Sequence, residues 1–189
     1  PDGLSMFGSA EIENESVLYD LVNSPKLRAR NYKIVHYDSP DERGVDVALM
    51  YNPKYFTVTG SKSLNVPLKM EDGKPRRTRD VLWVWGDYMG EPLHVFVNHW
   101  PSRRGGEAAT RAKRGLAASV SKKVIDSLVQ KNPNAKIYYA TTKALKTYTD
   151  VQYEEDCYIM FGKESAGIPE EILMEHKDNC VRIPMINEI

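Results

Sequence analysis

The sequence is poor in cysteine, in net charge and in long apolar runs, and each shortage removes a class of protein. Only Cys157 and Cys180 are present, and neither has a second Cys or His at metal-ligand spacing, which excludes a zinc-ribbon type of site. Both read as reduced core residues, with a disulfide left open for an exported protein. No apolar run approaches the roughly 20 residues needed to cross a bilayer. The N-terminus has no basic stretch leading into an apolar core and a cleavage site, so the expectation is a soluble, untargeted chain without a membrane partner. Internal repeats and low-complexity segments are also missing.

What is there is an ordinary globular composition. With 189 residues, 41% hydrophobic and 28% charged, the chain can bury one sizeable core, and one domain is expected. The formal net charge of +0 hides an asymmetry. Residues 1–136 hold 21 Lys/Arg against 16 Asp/Glu, whereas 137–189 hold 5 against 10. Much of the excess sits in Arg76, Arg77, Arg79, Arg103, Arg104, Arg111, Lys113 and Arg114, which suits an anionic partner such as a phosphodiester or nucleic acid. A solvated basic surface explains the same pattern on charge alone.

Residues 1–9 read as a leader or a damaged first strand, and 10–13 as a short strand end. Asn14 can cap a helix carrying Val17, Leu18, Leu21 and Val22 at helical spacing, stopped before Pro25. The period then becomes strand-like over 32–37, 45–51, 55–59, 81–85 and 93–99. A long amphipathic helix is predicted over 107–131, with Leu116, Val120, Val124 and Leu128 on its apolar face. Strands follow at 136–141, 157–161 and 180–185, with a helix at 169–176. The order describes an α/β (α+β) fold, a layered sheet sandwich with flanking helices.

Two stretches carry chemistry. Glu11-Ile12-Glu13-Asn14 puts carboxylates at a strand end, where a hard cation could be held by oxygen; glutamates beside an N-cap also serve a helix dipole. The run from Asn98 to Gly106 places His99, Ser102, Arg103 and Arg104 just after an apolar strand. A histidine there can donate to a phosphate oxygen, and paired arginines match phosphate by bidentate contact.

These stretches, with the segment from His36 to Leu49 that contains Arg43-Gly44-Val45-Asp46 and the turn Arg77-Thr78-Arg79-Asp80, together resemble the DNase-I-like endonuclease/exonuclease/phosphatase family over about residues 10–136. The resemblance implies a two-sheet sandwich that hydrolyses phosphoesters with magnesium or manganese. It makes Glu11 the metal-binding glutamate, His99 the histidine on the scissile phosphate and Asp46 a candidate carboxylate to orient that histidine. Arg103 and Arg104 are candidate phosphate ligands by charge.

The family's Gly-Asp-x-Asn motif, which positions the nucleophilic water, is absent: after Ile137 the chain reads Tyr138-Tyr139-Ala140-Thr141-Thr142-Lys143. The early asparagine and the closing Asp-His pair are missing too. From Ile137 the chain resembles instead a SPOUT-type RNA 2′-O-methyltransferase, through Tyr139 to Lys143, Tyr158 to Pro169 and Val181 to Met185. That resemblance makes Gly162, Glu164, Gly167 and Ile183 remnants of an S-adenosylmethionine pocket. The Ser-Leu-Asn-Leu-Ser-Asn type segment that closes such a pocket is not found, so S-adenosylmethionine binding is not expected. Taken together, the expectation is a fused or chimeric chain of two parts, 1–136 and 137–189, packed as one domain. It would be a phosphodiesterase scaffold of low or no activity, binding magnesium weakly. The alternatives are a catalytically silent fold or an RNA-binding methyltransferase-like module. Oligomeric state is not legible.

Overall fold

The computed structural model describes residues 3–70, 72–154, 157–161, 168 and 170–184. The chain divides into two compact units, residues 1–127 and 128–189. No helix among the described residues is long and apolar enough to cross a membrane.

The first unit holds two three-stranded antiparallel sheets. One contains β1 (Met6–Ile12), β2 (Lys33–His36) and β3 (Asp46–Tyr51), with β3 central. The other runs in order β4 (Phe56–Leu64), β5 (Val81–Tyr88) and β6 (Glu91–Val97). Val47 and Leu49 of β3 meet Phe56, Leu82 and Val84 from the second sheet in the core between them. The alternate residues Ala48 and Met50 point the other way, under α1 (Glu15–Val22), where they pack on Leu18 and Val22. A strand buried on both faces is therefore almost wholly apolar, and β3 after Asp46 is so. Asn14 caps α1 as its spacing predicts, its side chain accepting from Val17 N–H at 3.1 Å.

The outer face of the second sheet carries α2 (Glu107–Lys131). Its bounds match the sequence reading, and its inward face does so in part: Val120 packs against the core and Val124 and Leu128 are partly buried. Ala117 and Ser121 are the buried positions, whereas Leu116 is exposed. Ala117 packs on Val66, Leu68 and Val81, with Val120 alongside. Small residues let helix and sheet approach closely, so the large side chains ride at the edges of the contact. The N-terminal segment is likewise more than a damaged strand: residues 6–10 pair in register with β3.

The second unit has a parallel sheet of its own, in order β8 (Tyr158–Phe161), β7 (Ile137–Ala140) and β9 (Cys180–Val181). Parallel strands need a crossover, and α3 (Glu170–Glu175) lies on that between β8 and β9. Tyr139, Ile168, Leu173 and Cys180 form its core. Among the described residues neither cysteine forms a disulfide; Cys180 is buried and Cys157 only partly so. Burial pushes the Cys180 thiol up, which makes it an inert packing group. Burial and the Glu154 carboxylate to which it donates push the Tyr138 phenol up to about 12.

The packing gives a contrast between two leucines. Leu18→Ala beneath α1 should cost about 2–5 kcal/mol in urea unfolding, while Leu116→Ala on the exposed side of α2 should stay within about 0.5 kcal/mol. Equal losses would contradict the inward face assigned to α2.

Candidate active site

A cavity of about 420 Å³ opens at one end of the first unit. Glu11, the loop bearing Asp41 to Arg43, the turn bearing Arg76 to Arg79, the loop from His99 to Arg104, and Thr110 and Lys113 of α2 line it. Six cationic side chains, Arg43, Arg76, Arg77, Arg79, Arg104 and Lys113, face three carboxylates, Glu11, Asp41 and Glu42.

Glu11 and His99 meet although 88 positions separate them, with His99 Nε2 3.3 Å from Glu11 Oε1. Two local features bring them together. Between Ala10 and Ile12 the register of β1 against β3 shifts, so Glu11 is the extra residue of a bulge, and its φ is 59°. A non-glycine residue in the left-handed region costs about 1 kcal/mol or more, and bulges commonly re-aim a side chain beside a functional site. The second feature is how the His99 loop is held. Arg79 donates from Nε and Nη2 to the His99 carbonyl at 3.2 and 3.0 Å, and from Nη2 to the Trp100 carbonyl at 3.2 Å. Ser121 of α2 donates to Asn98 Oδ1 at 3.0 Å, and the Trp100 indole donates to the same oxygen at 3.1 Å.

Arg79 is held in turn by Asp41, Nη1 to Oδ2 at 3.0 Å, with both side chains largely buried. Burial pushes the Asp41 carboxyl up. The Arg79 hydrogen bond, the Arg43 backbone N–H and the charges of both arginines outweigh it and leave the carboxyl below its ordinary value. Arg43 also reaches Glu11, 3.5 Å from Oε1.

Of the residues singled out from sequence, Glu11, His99 and Arg104 share the cavity. Arg103 turns to Glu107, 3.5 Å away one helical turn on. Asp46 does not orient His99: its Oδ2 lies 3.1 Å from His36 Nε2, and its Oδ1 accepts from Ser39 N–H at 2.8 Å. The reason is strand pairing, since His36 at the end of β2 lies opposite Ala48 of β3, two positions from Asp46 and on the same face of that strand. His36, Asp38 and Asp46 bring possible ligand atoms within 4.8 Å of one another. The His36 and Asp46 side chains are 3% and 5% exposed and already bonded to each other, so they serve to root the Ser39 to Arg43 loop. Gly162, Glu164 and Gly167 lie outside the described residues; Ile183 is exposed. Sequence reasoning gave Asp41 and His36 no role of their own, although both lie in the His36 to Leu49 segment that carries the family resemblance.

Residues 1–141 match the Endonuclease/Exonuclease/phosphatase family. The chain belongs to that family. Residues 98–189 match the SpoU rRNA Methylase family, so parts of both families are present and the two matches share α2. Among similar proteins is one from Listeria innocua described as a candidate tRNA (cytidine(34)-2′-O)-methyltransferase, 37% identical over 68 residues, covering 34% of this chain and 40% of the relative. One from Lactococcus lactis with the same description is 44% identical over 55 residues, covering 28% and 32%. The chain thus spans 40% or less of the length of these two relatives. A solved structure of humanized D. rerio TDP2 aligns with 17% identity and a TM-score of 0.42, covering 70% of this chain and 47% of that one.

The endonuclease/exonuclease/phosphatase site yields a pH expectation. Because the folded state holds Asp41 below the ordinary 3.8, its ion pair contributes fully above that pH and is lost as pH falls further, through the folded value. Asp41→Asn, which leaves Arg79 without its charge partner, should cost about 3 kcal/mol at pH 7. In urea titrations the gap between variant and parent should narrow below pH 3.8; a constant gap would remove Asp41 from this role.

Proposed function

We propose that the cavity is a metal-assisted phosphoester-hydrolysing site with an incomplete catalytic set and weak activity. The observation that carries this reading is the strained Glu11, held 3.3 Å from His99 in a cavity lined by arginines. In its role, His99 Nε2 donates to a phosphate oxygen and stabilises the charge that grows there as water attacks. The cationic wall of the cavity draws an anionic ligand in by charge.

The donor set for a cation is thin. Glu11 is the carboxylate beside His99, and Asp41 is committed to Arg79 and Arg43. A magnesium or manganese ion would be held by Glu11 and otherwise through water, supplying Lewis-acid neutralisation of phosphate charge when bound. After Ile137 the chain reads Tyr138-Tyr139-Ala140-Thr141-Thr142-Lys143 in place of the family's Gly-Asp-x-Asn motif, so the water-positioning Asp and Asn are missing from that stretch. Losing members of a cooperative set leaves a small part of the rate.

The test is metal-dependent release of nitrophenol from bis-nitrophenyl phosphate. His99→Ala should abolish the slow turnover and Tyr19→Ala, exposed on α1, should leave it unchanged. Glu11→Gly separates strain from function: it should raise stability by about 1 kcal/mol while removing the metal dependence. Turnover that survives both site variants would place the activity elsewhere.

A second reading rests on the SpoU match over 98–189. That match removes the ground for excluding S-adenosylmethionine, and the relatives' descriptions make tRNA the RNA to try. On this reading calorimetry with S-adenosylmethionine gives saturable binding. No heat up to about 1 mM, roughly −4.1 kcal/mol, would eliminate it.

A further inference from the structure

The cations of the cavity fall into two groups. Arg79 and Arg43 are spoken for by Asp41 and Glu11. Arg76, Arg77, Arg104 and Lys113 make no ion pair among the described residues, and of the lining carboxylates only Glu42 also lacks one. Three separate elements aim these four at one cavity. Arg76 and Arg77 stand between two fixed points: Arg76 N–H donates to the carbonyl of buried Leu68 at 2.8 Å, and Thr78 is buried. The hairpin before them is closed by Met70 N–H to Lys74 at 2.8 Å and by a turn through Gly73, whose φ is 82°. Arg104 sits in a turn made by Gly105 and Gly106, with φ of 92° and 102°. Lys113 projects from the first turns of α2.

Four uncompensated cations against one carboxylate exceed what a single phosphodiester can neutralise, because such a diester carries one negative charge. Converging like charges in a concave wall raise the local potential and concentrate anions, and arginines match phosphate oxygens in pairs. The cavity, at about 420 Å³, falls in the range of sites for whole organic ligands. We infer that Arg76, Arg77, Arg104 and Lys113 form a second phosphate subsite, so that the ligand is a phosphodiester bearing a further phosphate group. This rests on the hydrolytic reading for the diester beside His99, but the subsite itself is tested by binding.

The experiment compares thymidylyl-thymidine with its 5′-phosphorylated form by calorimetry at low salt. The parent protein should bind the phosphorylated form at least tenfold more tightly. The Arg76→Ala/Arg77→Ala double variant should lose that preference while keeping its affinity for the unphosphorylated dinucleotide. His99→Ala should weaken both ligands alike; if it weakens neither while the preference persists, the diester reading fails and the subsite stands. A glycerophosphoinositol phosphate arm tells a nucleotide from an inositol source by which binds more tightly. Equal affinity for the two dinucleotides, no binding of either, or a preference that survives the double variant overturns the inference. Circular dichroism of the double variant guards against loss of folding, and Lys113→Ala, remote from the hairpin, should reduce the preference independently.

Discussion

The site depends on one guanidinium. Arg79 joins three loops that have no covalent reason to meet: its own turn before β5, the Asp41 loop before β3 and the His99 loop after β6. Each bond is charge-assisted and sits where water is largely excluded, so each is stronger than its counterpart at the surface. The planar fork matters as much as the charge, because the same group must satisfy two carbonyls and a carboxylate in fixed directions. Behind it stands the buried His36–Asp46 pair, through which Ser39 and the start of the Asp41 loop are tied to the sandwich. His99 thus comes to Glu11 with its backbone already placed.

Around that anchor two features cost stability. Glu11 sits in a conformation that favours glycine, and Arg76, Arg77 and Arg104 line the cavity without an ion-pair partner among the described residues. Regular packing elsewhere makes up the difference, chiefly the doubly buried β3, which ties α1 to the inter-sheet core.

Beyond α2 the physical style changes. Antiparallel strands of up to nine residues give way to parallel strands of two to four, and the charge balance turns acidic over 137–189. Matches to two families over 1–141 and 98–189 agree with that change. The two matches overlap over 98–141, a stretch that contains the His99 loop, α2 and β7.

How much was legible follows from the range of each interaction. The α2 bounds, the Asn14 cap and the strand periods came from spacing within a few residues, and the structure has them in place. The family and the roles suggested for Glu11 and His99 came from local motifs in order along the chain. By contrast, β1 has no clean alternation and exists as a strand because β3 pairs with it. The inward face of α2 is chosen by how closely Ala117 lets the helix approach, not by the sizes of its leucines. The partner of Asp46 depends on which residues of β2 face β3, and the clamp on His99 depends on an arginine 20 positions away. Local sequence determined most of the elements and the fold class, because propensity and motif act over short separations. Only the tertiary structure decided which charges in the cavity are paired and which have no ion-pair partner among the described residues, because that depends on contacts between segments remote in the chain.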